Sequence, residues 1–441
     1  MSAHDAPLPT REEILRVASK PLPGWLVPIF AALAAIGLLV FLAGAIIGEN
    51  RVWHALLYNW TYFTLISSAG VAMVAVQRIT TARWSRAVVR FLEGYVAFLP
   101  VAFVLLLLIL TVGQGHIFPW AHEVPHVDEK ALYLDPAFLV PRVLIVFLII
   151  TVLSLVLVWR SVRLDVAFSP EWGARWAHGM RARMRRSLRD ERREIHTTHS
   201  KNGLTAVLLA LAFGFGWCVL AFDLSMTIDV HFQSTLYPWW VFMGGWLAAI
   251  MLWALLVMTW RRFLDETPLI TETHFHDIGK LAFAFTAFWG YRTFGQYLVI
   301  WYGNFVEETH WFYQRLVGPW AYVSVLAVVL AFLLPFFGLL SRAAKVFRPT
   351  LAFFAACGLV GIWIVRYLEI YPTLHPAAIV LPFGLWEIGV FVMYVGLWGL
   401  CYVAFMSAFP RMRVVMMTSP FRDEVQVPVD PETMEPLPAH E

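Results

Sequence analysis

HFHDIGKLAFAFTAFWGYRTFGQYLVIWYGN, residues 274–304, decides the fold class. Aromatic, alanine and leucine positions run for well over the ~20 residues that a helix needs to cross a bilayer core. Yet Lys280, Arg292 and Gln296 interrupt them, with Arg292 close to the middle. A guanidinium at that depth needs an acid, a ring of carbonyls or water.

The surroundings repeat the pattern. The chain has 441 residues, 60% of them hydrophobic and only 14% charged, with a mean hydropathy of +0.67. A soluble domain of this size cannot hide so much apolar surface, and a membrane β-barrel would show short alternating segments. The expectation is an all-α integral membrane protein with ten spans near 25–47, 57–77, 93–112, 138–159, 203–222, 237–260, 276–302, 320–340, 350–370 and 386–409. Trp25, Trp53, Trp120, Trp159, Trp239, Trp260, Trp301, Trp320 and Trp386 mark span ends, as interfacial tryptophans do.

Charge placement sets the orientation. Arginines crowd the segments after spans two, four, six and eight, densest over 160–202, and Arg411, Arg413 and Arg422 follow span ten. The alternate loops carry Glu49, Glu123, Asp128, Glu129, Asp229, Glu307 and Glu308 instead. Basic loops face the cytoplasm, which puts both termini there. Arginines beside a membrane are topology signals and lipid contacts, so no nucleic-acid partner is expected. Residues 1–24 form a cytoplasmic segment without a cleavable signal, in which Thr10-Arg11-Glu12-Glu13 reads as a capping box for a short interfacial helix. The ten-span domain covers 25–417. Residues 418–441, rich in Pro and Glu, read as a disordered tail.

The polar residues within this apolar chain fall into two layers. An outer layer gathers His54, Asp135, Arg142, Asp223, Asp229, His231, Arg366, Glu369 and Glu387 from different helices at similar depth. Such a set is either a site or a network of ion pairs. An inner layer holds Glu93, Asp277 and Lys280; the last two are three apart and able to pair. Arg292 links the layers, with Gln296 one turn on and Tyr291 turned toward the Lys280 face. Glu387 and Asp223 are the candidate partners of Arg292.

None of the 14 histidines sits at the centre of a span, where axial ligands of a membrane haem b belong. Cys218, Cys357 and Cys401 lie scattered in apolar runs and form no cluster-binding set. No redox cofactor or metal is expected on this chain. His122-Glu123-Val124-Pro125-His126 fits the H-E-x-x-H spelling. Pro125 opposes the helix that a zinc site requires, and a loop touching a partner subunit is the better reading.

The segments HDIGKLAFAFTAFWGYRTFGQYLVIWYGNFVEET (276–309), ITTARWSRAVVRFLE (79–93), HIFPWAH (116–122), KALYLDPAFLVPR (130–142) and FDLSMTIDVHFQSTLYPWW (222–240) resemble the NrfD-like membrane subunits, most closely the ActF type of alternative complex III. The resemblance covers most of the chain in order. It implies two four-helix bundles, spans two to five and six to nine, with spans one and ten flanking, in a bacterial cytoplasmic membrane. It implies a respiratory complex that oxidises menaquinol or ubiquinol and reduces a cytochrome c or an oxidase. Its iron–sulfur protein, multihaem cytochrome c subunits and NrfD-like paralogue, ActC, would be the partners; haem c and iron–sulfur clusters would sit in the first two. Quinol would approach the outer layer, where Asp223, Asp229 or His231 accepts a proton and Arg142 or Arg366 keeps a carboxylate ionised. Proton uptake would begin at Glu93 or at Asp277–Lys280 and pass Tyr291, Arg292 and Gln296. The paralogue tends to carry an acid where Gln296 stands; that departure implies a vestigial or secondary quinone pocket here, with proton conduction and scaffolding as the chain's own role. A secondary transporter and a purely structural anchor are the rival classes.

Overall fold

The computed structural model describes residues 10–122, 128–186, 190–264 and 269–425. The chain is helical, with no strand among the described residues. Nine helices there are long and apolar enough to cross a membrane: α2 (Leu26–Ile46), α3 (Arg51–Ile79), α4 (Val89–Thr111), α5 (Pro136–Ala167), α6 (Glu191–Leu224), α7 (Tyr237–Leu264), α10 (Gly318–Gly338), α11 (Arg348–Leu374) and α12 (Leu385–Ala408). Between α7 and α10 lies α8 (Glu272–Gly303). At ~1.5 Å per residue it is as long as the others, but Lys280, Arg292, Gln296 and its tyrosines dilute its apolar character. Asn304, at φ 50°, stops it; asparagine tolerates the left-handed conformation that ends helices.

Helix packing follows the sequence order. The α3–α4, α4–α5, α5–α6 and α3–α6 pairs are all in contact, as are α7–α8, α7–α11, α10–α11 and α8–α10. α3 also touches α7, α11 and α12, and most of its residues are buried. α2 packs chiefly on α12. There the glycines permit close approach: a Cβ on Gly37 would lie 2.3 Å from the Met393 nitrogen, and one on Gly396 2.2 Å from that of Ala34. Without a hydrophobic drive between helices in lipid, small residues at such seams let dispersion act. α10 contains a π-helical turn over Val329–Leu333, just before Pro335, where the freed backbone is rewound rather than broken.

The N-terminal helix α1 (Arg11–Ala18) has the expected capping box: Glu13 N donates to Thr10 Oγ1 at 3.3 Å and Thr10 N to Glu13 Oε2 at 2.8 Å. It is more than a surface helix. Ile14, Val17 and Ala18 are buried, and Arg11 binds Glu191 at 3.1 Å. The tail differs too. Residues 420–425 form a turn against α6, because Arg192 and His196 hold Glu424 at 2.7 and 2.9 Å. The rest of the tail, and most of the H-E-x-x-H stretch, lie outside the described residues. Within it, His122 meets the Gly115 carbonyl at 2.6 Å.

Candidate functional site

The α3, α5, α7, α11 and α12 ends that carry the arginine-poor loops form one end of the molecule, the acidic end; the arginine-rich loops form the basic end. The outer layer of polar residues lies at the acidic end, resolved into separate groups rather than one site.

The first group ties α3 to α12. Glu387, wholly buried, accepts from Arg51 Nε at 2.9 Å and Nη2 at 2.7 Å, from the Tyr371 hydroxyl at 2.8 Å and from Gly384 N at 2.7 Å. Beside it His54 Nδ1 lies 3.3 Å from His375 Nε2, and His54 Nε2 lies 3.0 Å from the His116 carbonyl. The carbonyl can only accept, so Nε2 of His54 carries a proton. A neutral His54 then offers Nδ1 as acceptor, and His375 donates. Burial, the larger effect, and Arg51 push His375 below its ordinary range, which keeps it neutral.

The second group joins α5 and α6. Arg142 donates to Asp223 through Nε and Nη2, both at 2.9 Å, while the Tyr133 hydroxyl donates at 2.8 Å. Burial first, and then Asp223, raise the Tyr133 phenol to about 12, so it stays a donor. The guanidinium also lies over the Tyr133 ring, 4.0 Å from its centroid. Asp135 belongs to neither group: it caps α5, accepting from Ala137 N at 2.9 Å.

The third group centres on α11. Arg366 and Glu369, one turn apart on α11 and both buried, pair at 2.8 Å. Ser225 and Tyr237 hydroxyls bond each other, and Ser225 reaches Glu369 at 3.4 Å. Arg315, from the short helix α9 (Val306–Leu316), donates to the carbonyls of Leu368 at 2.9 Å, Glu369 at 3.0 Å and Trp311 at 2.6 Å. A cation there also meets the negative end of the α11 dipole. Arg366 Nε and Nη2 have no partner among the described residues.

A cavity of about 630 Å³ opens between α6, α8 and the 226–236 segment. Asp229 and Tyr133 line one side; Gln296, Val299 and Ile300 of α8 line the other. Asp229 accepts from the backbone of His231 at 3.1 Å and Phe232 at 3.2 Å, which orients its carboxylate, while the His231 ring is exposed. Gln296 is 2% exposed, and neither side-chain polar atom has a partner among the described residues. An unpaired buried amide costs ~1–3 kcal/mol, so the cavity is where that cost can be recovered.

Arg292 does not line this cavity but is tied to its rim through Leu236, with no acid paired to it among the described residues. Its Nη2 donates to the Leu236 carbonyl at 3.3 Å and its Nε has no partner among the described residues. The expected partners are both engaged, Asp223 by three donors from Arg142 and Tyr133 and Glu387 by four from Arg51, Tyr371 and Gly384; Glu387 has no lone pair to spare. Tyr291 is 67% exposed on the outward face of α8.

At the basic end the inner layer divides. Asp277 and Lys280 pair at 2.7 Å on α8. Glu93 is elsewhere: Arg90 holds it at 2.5 Å, Arg413 Nε at 3.1 Å and the Ser161 hydroxyl at 2.8 Å. Arg90 also binds Asp165, which accepts from Val415 N at 2.8 Å. This set of two arginines and two acids, buried except for the partly exposed Arg413, fastens the segment after α12 to α4 and α5. Arg90 and Arg413 counted only as orientation signals in the sequence, and Asp165 carried no signal beyond being an acid among arginines. Arg315 and Arg51 were missed likewise; only the Trp311–Arg315 spacing, one helical turn, hinted at the cation stacked on that ring.

No protein-family model matches the chain, and no curated protein matches it.

Proposed function

We propose that the chain is a membrane subunit of a quinol-oxidising complex, of the NrfD-like kind its sequence resembles. α8 supplies a tenth crossing. α3–α6 form one four-helix bundle and α7, α8, α10 and α11 the other, with α2 and α12 flanking. The acidic end faces away from the cytoplasm. The observation that supports this reading is the 630 Å³ cavity with the Gln296 amide, unpaired among the described residues. A quinol head offers what such a cavity lacks, a hydroxyl to donate to the amide and a flat apolar ring for Val299 and Ile300.

Oxidation of a quinol to the quinone releases two electrons and two protons. The electrons pass to iron–sulfur or haem c groups on partner subunits. Asp229, held ready by two backbone donors, is the proton acceptor for the ring; Asp223, paired with Arg142 and accepting three hydrogen bonds, is the poorer base. Glu93, clamped by two arginines, is likewise poorly suited to proton uptake, which leaves the Asp277–Lys280 pair at the basic end of α8. Arg292, on the same helix as Lys280 and Gln296, sets the charge and water order between them.

Affinity purification of the tagged chain from gently solubilised membranes, with an optical spectrum of the same sample, tests the proposal. Multihaem c absorption, an iron–sulfur protein and quinol oxidation are expected. A colourless chain that purifies alone overturns the proposal and favours a secondary transporter.

A further inference from the structure

The basic end carries a second concavity, unrelated to the acidic-end cavity. About 850 Å³ of space lies between the end of α7, the start of α8 and the start of α11. Three arginines line it, Arg261, Arg262 and Arg348, against one acid, Glu272, an excess of two positive charges. Arg262 and Arg348 are exposed and have no hydrogen-bond or ion-pair partner among the described residues. The lining continues toward the membrane. Met258 lies one turn before Arg262 on α7 and Ala352 one turn after Arg348 on α11, both on the wall of the same crevice. Each free guanidinium therefore stands directly above an apolar residue, at the level where helices leave the bilayer.

We propose that this crevice binds one anionic phospholipid, with its phosphate between Arg262 and Arg348 and its acyl chains running down past Met258 and Ala352. Guanidinium groups recognise phosphate oxygens by paired N–H donors. The charge excess selects an anionic headgroup over a zwitterionic one. An acidic peptide would satisfy the arginines but would leave the apolar wall unused.

Native mass spectrometry of the detergent-purified full chain, titrated with cardiolipin, phosphatidylglycerol and phosphatidylethanolamine, reads the site. One anionic lipid is expected to bind in preference to phosphatidylethanolamine. Two guanidinium–phosphate contacts near a membrane surface contribute ~1 kcal/mol each, so Arg262→Gln/Arg348→Gln weakens that binding about thirty-fold. Ala352→Trp, which fills the apolar half and keeps every charge, weakens it as well. Arg175→Gln/Arg183→Gln, two exposed arginines elsewhere at the basic end, leaves it unchanged. Equal loss in that control pair, wild-type binding in the double variant, or equal binding of phosphatidylethanolamine overturns the proposal.

Discussion

Arg51 and Glu387 face each other in a two-pronged ion pair, Nε to Oε1 at 2.9 Å and Nη2 to Oε2 at 2.7 Å, that joins the starts of α3 and α12. Glu387 is wholly buried and Arg51 a quarter exposed. Removing one partner of a buried pair strands a charge, whereas removing both does not. Arg51→Met is therefore expected to destabilise the fold by about 3 kcal/mol. Arg51→Met/Glu387→Leu is expected to cost less than Arg51→Met alone. Thermal unfolding in detergent across the double-variant cycle measures this. A double variant worse than the single would show that Glu387 acts through Tyr371 and Gly384 rather than through Arg51.

Gln296 gives a prediction of opposite sign. Its amide is buried and unpaired among the described residues, so Gln296→Leu removes an unsatisfied polar group of similar size. The variant is expected to be as stable as the parent or up to ~1 kcal/mol more stable, yet to bind a quinol analogue at least tenfold more weakly. Titration of the purified protein with a fluorescent quinol analogue checks the second half. Unchanged affinity would remove the cavity from the proposed chemistry.

What the sequence made legible was what depends on local pattern. Apolar runs located the helices, because a bilayer demands length and composition of each helix alone. Asp277–Lys280 and Arg366–Glu369 were within reach because partners three apart share a helix face. The pairs that organise the acidic and basic ends, Arg51–Glu387, Arg142–Asp223 and Arg90–Asp165, join residues far apart in the chain. Their identity depends on which helices pack and at what rotation, and neither periodicity nor hydropathy encodes that. Arg292 shows the consequence. Its mid-helix position was legible, but its proposed acids were already engaged, since other arginines had claimed them.

The Arg90–Asp165 pair anchors the segment after α12, through Val415 on Asp165 and Arg413 on Glu93. Asp165→Leu leaves Arg90 with Glu93 alone, in a buried site. A loss of about 3–5 kcal/mol is expected, along with release of the chain beyond Arg411. Limited trypsin digestion should then cut at Arg413 or Arg422 at least tenfold faster than in the parent. Equal digestion rates would mean that packing of Val414 and Val415 suffices to hold the segment.

His375 makes the acidic end sensitive to pH. Burial holds its imidazole below the ordinary 6.5, so the unfolded chain takes up a proton before the folded one does. Stability is then full above about pH 6.5 and falls as the pH drops below it. His375→Gln removes this contribution. Its unfolding temperature is expected to fall less than the parent's between pH 7.5 and 5.5, when both are measured in the same detergent. Parallel curves would show that His375 does not titrate across that range.

Arg292 lies ~16 Å from the end of α8 with one hydrogen bond, to the Leu236 carbonyl, and no acid among the described residues. A guanidinium with so little to hold is a weak structural element, and if α8 crosses the membrane as proposed, the cost of its depth needs another return. Arg292→Leu is expected to leave assembly and unfolding temperature within the range of a surface substitution, about 0.5 kcal/mol. Proton-coupled turnover in proteoliposomes is expected to fall at least tenfold. Arg292→Lys, which keeps the charge but not the planar reach, separates the two roles of the group. Recovery by lysine would assign the effect to charge at that depth. No recovery would assign it to the hydrogen bond that fixes Leu236 at the rim of the cavity. Loss of assembly in Arg292→Leu would instead make Arg292 structural, with its missing partner on another subunit.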